Sequence, residues 1–244
     1  MTEFARLYEP VTGPGPRGTG TLPVVWLHAA GLSAEAWCGR AEGICPDLPG
    51  HGTAPRAVLP EVAAFADALL PTLPQRFCLV GHSLGGMVAM VLAARFPERV
   101  AALVLAEAEY NPTATLRLRA ASMAAVWLAR HMGPRRLAWF AGIGRQNATR
   151  VALRRQMAAV RPEGLVDAFE AARRFDGTPL LARLSMPTLI LVGRRNPVTH
   201  PQARQMARRL PRARLMVLEA GHMLHSDVPD MFFGTIRAFF GPYR

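Results

Sequence analysis

The chain has 244 residues, half of them hydrophobic, and a formal net charge of +12 at pH 7. This length suits one domain with a large buried core and room for an inserted segment. No charge-free apolar run reaches the roughly 18 residues of a membrane span, so we expect no membrane partner. The three cysteines, Cys38, Cys45 and Cys78, are odd in number and lack zinc-site spacing. We therefore expect no metal site.

The positive charge comes entirely from arginine, because the chain contains no lysine. Such a charge can attract nucleic acid. However, the arginines are spread from Arg117 to Arg214 without interleaved stacking aromatics, so we expect no nucleic-acid partner. Residues 1–10 contain charges and no apolar core of the kind that a secretory signal carries. The expected location is the cytoplasm.

Strand and helix patterns alternate along the chain. Predicted strands, which are short apolar or alternating runs, cover residues 4–8, 24–27, 44–47, 77–80, 100–105, 188–193 and 214–218. Predicted helices cover residues 33–40, 60–73, 87–94, 201–210 and 229–240. Residues 111–185 show no convincing strand and carry helical stretches rich in arginine and alanine. The pattern predicts an α/β fold, a parallel sheet with helices on both faces and an all-helical insertion.

The most informative motif is Gly81-His82-Ser83-Leu84-Gly85-Gly86, which fits G-x-S-x-G. A buried strand leads into it and a helix of small apolar residues leads out. This context is typical of a nucleophile elbow, a sharp turn that exposes the serine hydroxyl above a sheet. The sequence therefore predicts Ser83 as a catalytic nucleophile.

With three further motifs, the chain resembles the α/β-hydrolases over nearly its whole length. These motifs are His28-Ala29-Ala30-Gly31, Asp47-Leu48-Pro49-Gly50-His51-Gly52 and Gly221-His222, and they occur in the family's order. The resemblance implies a mostly parallel hydrolase sheet formed by residues 1–110 and 186–244. Residues 111–185 are then expected to form a helical cap over the elbow.

The resemblance also implies the base that a weakly nucleophilic serine hydroxyl needs. In this family the base is a histidine after the last strand, which points to His222. His225, three residues further on, is the local rival. His28 and His51 resemble structural loop histidines of the family, and His82 occupies the variable position of the elbow.

An oxyanion hole requires two N–H groups aimed at the developing charge. The residue after the nucleophile supplies one of them, which here is Leu84. The loop after an earlier strand supplies the other, and alignment on His28 points to Ala30. Ala29 stands where the family usually has glycine, so we expect that loop to be slightly reshaped.

The acid of the expected triad departs from the family pattern. Asn196 stands where an aspartate is usual, and an amide cannot stabilise an imidazolium as a carboxylate does. Some α/β-hydrolases carry the acid at the end of the sixth strand, which here points to Glu107, with Glu109 two residues further. Glu107 is the preferred acid, and Asn196 as a weak orienting group remains the alternative. The preferred triad predicts a hydrogen bond between Glu107 and His222.

The expected activity is hydrolysis of carboxylic esters or lactones of small to medium, apolar character, with no cofactor. Alternatives are C–C bond hydrolysis or a lyase step on the same site, or binding of a small molecule without turnover. The expected partner is the small-molecule substrate, and the protein is expected to be a monomer or homodimer. We expect most of the large apolar cap residues to pack within the cap and some to face the substrate; they are Met123, Trp127, Met132, Trp139 and Phe140.

Overall fold

The computed structural model of the chain describes residues 21–37, 39–140 and 147–243. Five parallel strands form its sheet in the order of the sequence. They are β1 (Val24–Leu27), β2 (Phe77–His82), β3 (Val100–Ala106), β4 (Thr188–Gly193) and β5 (Ala213–Leu218). The predicted α/β fold with a mostly parallel sheet is thus confirmed. The strand predicted at residues 4–8 lies outside the described residues.

Eight α-helices of the described residues accompany the sheet. They are α1 (Val62–Leu69), α2 (Leu84–Arg95), α3 (Leu116–Phe140), α4 (Asn147–Ala159), α5 (Pro162–Arg174), α6 (His200–Arg209), α7 (Leu224–Asp227) and α8 (Pro229–Phe240). Short 3₁₀ turns cover Ala34–Trp37, Leu70–Thr72, Thr178–Arg183 and Gly241–Tyr243. The predicted helix at residues 33–40 is therefore only a 3₁₀ turn in its described part. The predicted strand at 44–47 is also wrong, because only Ile44 pairs, through one bridge to Val25.

The sheet is apolar on both faces, as alternation along β1 shows. Val25 and Leu27 belong to the cluster that packs against α1, α2 and α6, whereas Val24 and Trp26 face α8. Both faces are covered because successive side chains of a strand point to opposite sides. Because both faces of the sheet are covered, functional side chains are expected in the loops that follow the carboxyl ends of the strands.

The described residues between β3 and β4 contain α3, α4 and α5 and no strand. Helix α3 is kinked at Gly133, where φ is 69° and ψ is 172°, and Pro134 follows. A small apolar cluster joins Ala129 of α3 to Val160, in the turn before α5, and to Leu165 of α5. Helices α3 and α5 thus pack against each other. The division of the chain into a core domain and a cap domain stays a prediction.

Candidate active site

Ser83 lies at the turn between β2 and α2. Its φ of 54° and ψ of −116° are unusual for a residue with a Cβ. The N–H of Ser83 donates to the carbonyl of Ala106 at 2.9 Å, and its own carbonyl accepts from Gly86 and Met87. These bonds hold the strained turn in place, which is how strain persists at functional sites.

Two glycines of the elbow explain why the motif has its spacing. A Cβ on Gly81 would lie 2.4 Å from the carbonyl oxygen of Gly85. A Cβ on Gly85 would lie 2.2 Å from the carbonyl oxygen of Leu27. Neither contact is compatible with a side chain, so α2 can approach the sheet closely enough to present Ser83 at the strand ends only with glycine at both positions.

Glu107 lies at the end of β3, beside the elbow in the sheet. Among the described residues, Glu107 and Ser83 are the non-glycine residues with positive φ, and φ of Glu107 is 50°. The Glu107 side chain is completely buried. A buried carboxylate in strained backbone is costly unless its surroundings hold it there, so this position indicates a functional role.

Three groups donate hydrogen bonds to the Glu107 carboxylate. The N–H of Gly193 donates to Oε1, and Oε2 accepts from Thr199 Oγ1 at 2.8 Å and from Asn196 Nδ2 at 2.6 Å. Burial opposes the negative charge, but contacts with His222, Gly193 and Thr199 outweigh it and hold the pKa of Glu107 below its usual value. Glu107 is therefore a carboxylate at neutral pH.

His222 lies against this carboxylate, although not within the predicted hydrogen-bond distance. Its Nδ1 is 3.6 Å from Glu107 Oε2 and 3.2 Å from Asn196 Nδ2. The Asn196 amide thus stands between the two groups. Its nitrogen must face Glu107, because a carboxylate oxygen only accepts. The structure therefore brings both candidate partners of the base together instead of choosing one of them.

This arrangement has a consequence for the His222 tautomer. If Asn196 donates to Nδ1, the neutral ring carries its proton on Nε2 and cannot accept a proton from serine there. The productive tautomer has Nδ1–H directed at Glu107, and it leaves Nε2 free as a base. Shortening the 3.6 Å separation would complete that pair, as catalytic hydrogen bonds often tighten only when substrate binds.

Glu109 is less suited to be the acid. Burial, opposed by His222 and reinforced by the Glu107 charge, raises the pKa of Glu109 to about 7. Its Oε1 accepts from Gln202 Nε2 at 3.2 Å. A carboxyl group that is half protonated near pH 7 is a weak source of the negative charge that an imidazolium requires.

The loop after β1 is held by two buried histidines. His28 Nε2 accepts from the Leu48 N–H at 2.9 Å, and His51 Nε2 accepts from the Gly31 N–H at 3.1 Å. Burial lowers the pKa of His28 to about 3 and lowers that of His51 as well, so both rings are neutral. They fix the loop that contains Ala30.

The two N–H groups predicted for the oxyanion hole lie on elements that converge at the elbow. Leu84 is the first residue of α2, so its N–H has no acceptor within the helix. Ala30 lies in the loop after β1, and β1 pairs with β2 through Leu27 and Gly81. The positive end of the α2 dipole also favours negative charge at this place.

Helices α4 and α5 contact the same loop. A Cβ on Gly31 would lie 3.1 Å from Met157 Cε and 3.5 Å from Leu165 Cδ1. Gly50 and Gly164 approach so closely that a Cβ on Gly50 would lie 2.8 Å from the Gly164 Cα. The helical segment therefore covers the side of the site formed by the loop after β1.

Three of the five large apolar residues of the predicted cap are exposed. Met123, Trp127 and Trp139 are each more than half exposed. Met132 lines an open cleft beside the α3 kink, and nothing is described of the Phe140 side chain. The expectation that most of them pack within the cap is therefore wrong for Met123, Trp127 and Trp139, whereas Val126, Ala129 and Ala138 of α3 are buried.

His225, the rival base, lies away from the carboxylate cluster. Its ring is buried 5.3 Å from Trp37 and 5.2 Å from His82. Sequence reasoning missed two residues of the site. Thr199 holds Glu107, and His82 contacts the main chain of His222. Thr199 belongs to no motif, and His82 occupies the variable position of the elbow motif, so the motifs gave neither residue a role; both act through contacts between distant segments.

The described residues also bear on metal binding and on membrane insertion. In those parts of the chain, no group of three His, Cys, Asp or Glu side chains could hold a metal ion. Likewise, none of the helices that the structure describes is long and apolar enough to cross a membrane.

Comparison with known proteins identifies the family of the chain. The sequence profile described as "Alpha/beta hydrolase family" matches residues 24–235. A pimeloyl-[acyl-carrier protein] methyl ester esterase from Neisseria meningitidis is 31% identical over 207 residues, which are 79% of this chain. The match spans 66% of the length of that relative.

Two further proteins are similar over most of their length. The 3-oxoadipate enol-lactonase 2 of Acinetobacter baylyi is 30% identical over 213 residues, covering 80% of this chain and 77% of the relative. The solved structure of a thermophilic esterase from Thermogutta terrifontis has a TM-score of 0.78 and 27% identity, covering 91% of each chain. The names of these three proteins denote hydrolysis of ester bonds.

Proposed function

The chain belongs to the α/β hydrolase family, and on that premise we propose that it hydrolyses carboxylic esters or lactones through an acyl-enzyme on Ser83. The observation that carries the proposal is that the two described residues with strained backbone are the expected nucleophile and the expected acid. Ser83 and Glu107 have positive φ and directly follow the neighbouring strands β2 and β3. Glu107 Oε2 is 3.6 Å from His222 Nδ1, and His82, the residue before Ser83, contacts the His222 carbonyl oxygen at 2.8 Å. Relatives named as an esterase and an enol-lactonase support the bond type.

In the proposed mechanism, His222 Nε2 accepts the Ser83 proton as the hydroxyl attacks the carbonyl carbon. Glu107 stabilises the imidazolium that forms and keeps Nδ1 protonated. The N–H groups of Ala30 and Leu84 hold the oxyanion. His222 then gives its proton to the leaving alcohol, and a water molecule, activated by the same histidine, cleaves the acyl-enzyme.

A fluorophosphonate probe together with p-nitrophenyl esters of graded chain length tests this proposal. We expect the probe to label Ser83 and the esters to be cleaved, whereas Ser83→Ala removes roughly 10⁶-fold of the turnover. Ser33→Ala, at another serine of the chain, is a matched control and should keep full activity. Retention of more than a tenth of the turnover by Ser83→Ala would refute the mechanism.

We further propose that the acyl group arrives on an acidic carrier protein, because the name of the Neisseria meningitidis relative specifies an acyl-carrier protein for that enzyme and an acidic partner would suit the arginines of this chain. Residues 111–161 contain ten arginines and no Asp or Glu, so most of the net charge of +12 lies in this segment. The spread of arginines from Arg117 to Arg214 conceals this concentration, which appears only when the acidic residues are considered as well. Arg135, Arg136 and Arg161 line an open cleft of about 540 Å³ beside the α3 kink.

Salt and charge variants test the carrier. We compare kcat/KM for one acyl methyl ester, free and attached to acyl carrier protein, at low and high salt. Salt and the double variant Arg135→Ala/Arg136→Ala should weaken turnover of the carried ester and leave the free ester unchanged. The double variant Arg204→Ala/Arg208→Ala on α6 removes the same charge elsewhere and is the control. Equal effects of both double variants would contradict a carrier bound at the cleft.

A further inference from the structure

His82 is a completely buried histidine at the end of β2, directly before Ser83. Its Nε2 lies 2.8 Å from the carbonyl oxygen of His222. This contact joins residues that are 140 positions apart in the chain. It therefore links the strand that carries the nucleophile to the loop that carries the base.

The contact defines where the His82 proton lies. A carbonyl oxygen only accepts, so Nε2 of His82 carries the proton and donates it. Burial and, to a smaller extent, the neighbouring His222 and His225 rings hold the pKa of His82 well below its usual value. Both of those rings are 5.2 Å away, centroid to centroid. A neutral ring with Nε2–H is thus the form that the site supports.

Other hydrogen bonds also hold the loop of His222, but they involve the residues before it. The N–H of Gly221 donates to Asp227 Oδ2 at 2.6 Å. The carbonyl of Ala220 accepts from the Arg195 N–H at 2.9 Å. Neither bond connects the loop to the elbow, whereas the His82 bond acts on the peptide of the base itself. Small changes in its position therefore move the imidazole relative to Ser83.

We propose that His82 is a positioning residue that holds the main chain of His222 at the correct distance from Ser83 through its Nε2–H. The inference rests on the proposed function, because it assigns a task to His82 in the reaction of Ser83 and His222. Chemically, the residue needs one N–H donor at the Nε2 position and no charge.

Gln and Met substitutions provide a matched pair. His82→Gln can place an amide N–H at the position of Nε2, whereas His82→Met has the same length without a donor. We expect His82→Met to lower kcat per titrated active site by about 10- to 100-fold at nearly unchanged KM, because misplacing the base slows chemistry more than binding. We expect His82→Gln to stay within about threefold of the wild type, since about one hydrogen bond is retained.

Titration with the fluorophosphonate probe separates geometry from folding, because rates are counted per reactive site. Equal losses in the Gln and Met variants, or no loss in the Met variant, would overturn the proposal. A wild-type enzyme that neither reacts with the probe nor cleaves esters would instead refute the proposed function. Nitrogen-15 NMR of the wild-type histidines needs no activity and should show neutral His82 protonated on Nε2; protonation on Nδ1 would also overturn it.

Discussion

The candidate site is held from two sides by different means. On one side, neutral His28 and His51 accept hydrogen bonds from the backbone and fix the loop of Ala30. On the other side, the charged Glu107 carboxylate accepts hydrogen bonds from Asn196 and Thr199 and lies 3.6 Å from His222 Nδ1. The first side resists conformational change, and the second supplies charge to the reaction. Substitutions on the neutral side should therefore lower stability, and substitutions on the charged side should lower turnover.

Between the two sides, the larger effect is expected on the charged side, from Glu107→Gln. It should lower kcat by about 10³- to 10⁴-fold, because the imidazole loses the carboxylate that sets its tautomer and stabilises its charge. The measurement is kcat per titrated active site, with thermal unfolding as a check on folding. Glu219→Gln removes an exposed carboxylate near the same histidine and should change kcat little. A Glu107→Gln enzyme with near-normal kcat would mean that the charged side does not serve catalysis.

On the neutral side, His28→Phe should destabilise the protein by about 1–3 kcal/mol, because the buried Leu48 N–H loses its acceptor. His28→Gln keeps an acceptor and should lose less. Because the pKa of His28 is lowered to about 3 in the fold, the unfolded state binds its proton first on acidification. Wild-type stability should therefore fall as the pH drops from about 6.5 to about 3, by up to about 1.4 kcal/mol per pH unit from this residue.

Urea unfolding at several pH values measures both effects. Below pH 6.5, the free energy of unfolding should fall less steeply with decreasing pH in His28→Gln than in the wild type. Equal slopes would show that His28 does not contribute, and a large loss of kcat per titrated site in His28→Phe would erase the distinction between the two sides.

A smaller effect is expected from Asn196→Asp. It would place a second carboxylate at the position where Asn196 Nδ2 now lies 2.6 Å from Glu107 Oε2. Two carboxylates so close cannot both ionise easily, so one pKa of the pair should rise and the acid limb of the kcat/KM profile should move up by about one pH unit or more. Asn196→Ala should leave kcat within about threefold. A strong gain in kcat at neutral pH would instead indicate a weakened triad that aspartate restores.

Local sequence was enough to predict the elements that need little context. The apolar runs of β1 to β4 and the Gly81–Gly86 motif predicted the parallel sheet and the elbow. Residues 44–47 looked like a strand by the same criterion, but only Ile44 pairs with β1. The pattern at α3 misled in a similar way, because Trp127 is apolar and yet exposed. Composition cannot distinguish a packed apolar face from an open one.

By itself, the sequence determined the α/β architecture and Ser83 as a candidate, because strand patterns and the elbow motif are local properties. The resemblance to the α/β-hydrolases that its motifs carry added His222 and Glu107 as candidates. Only the tertiary structure decided how the candidates meet. It placed the Asn196 amide between Glu107 and His222, added Thr199 to the carboxylate and tied His82 to the base loop. These contacts join positions 26 to 140 residues apart, and their distances depend on how the strand ends and loops pack together, which no local pattern encodes.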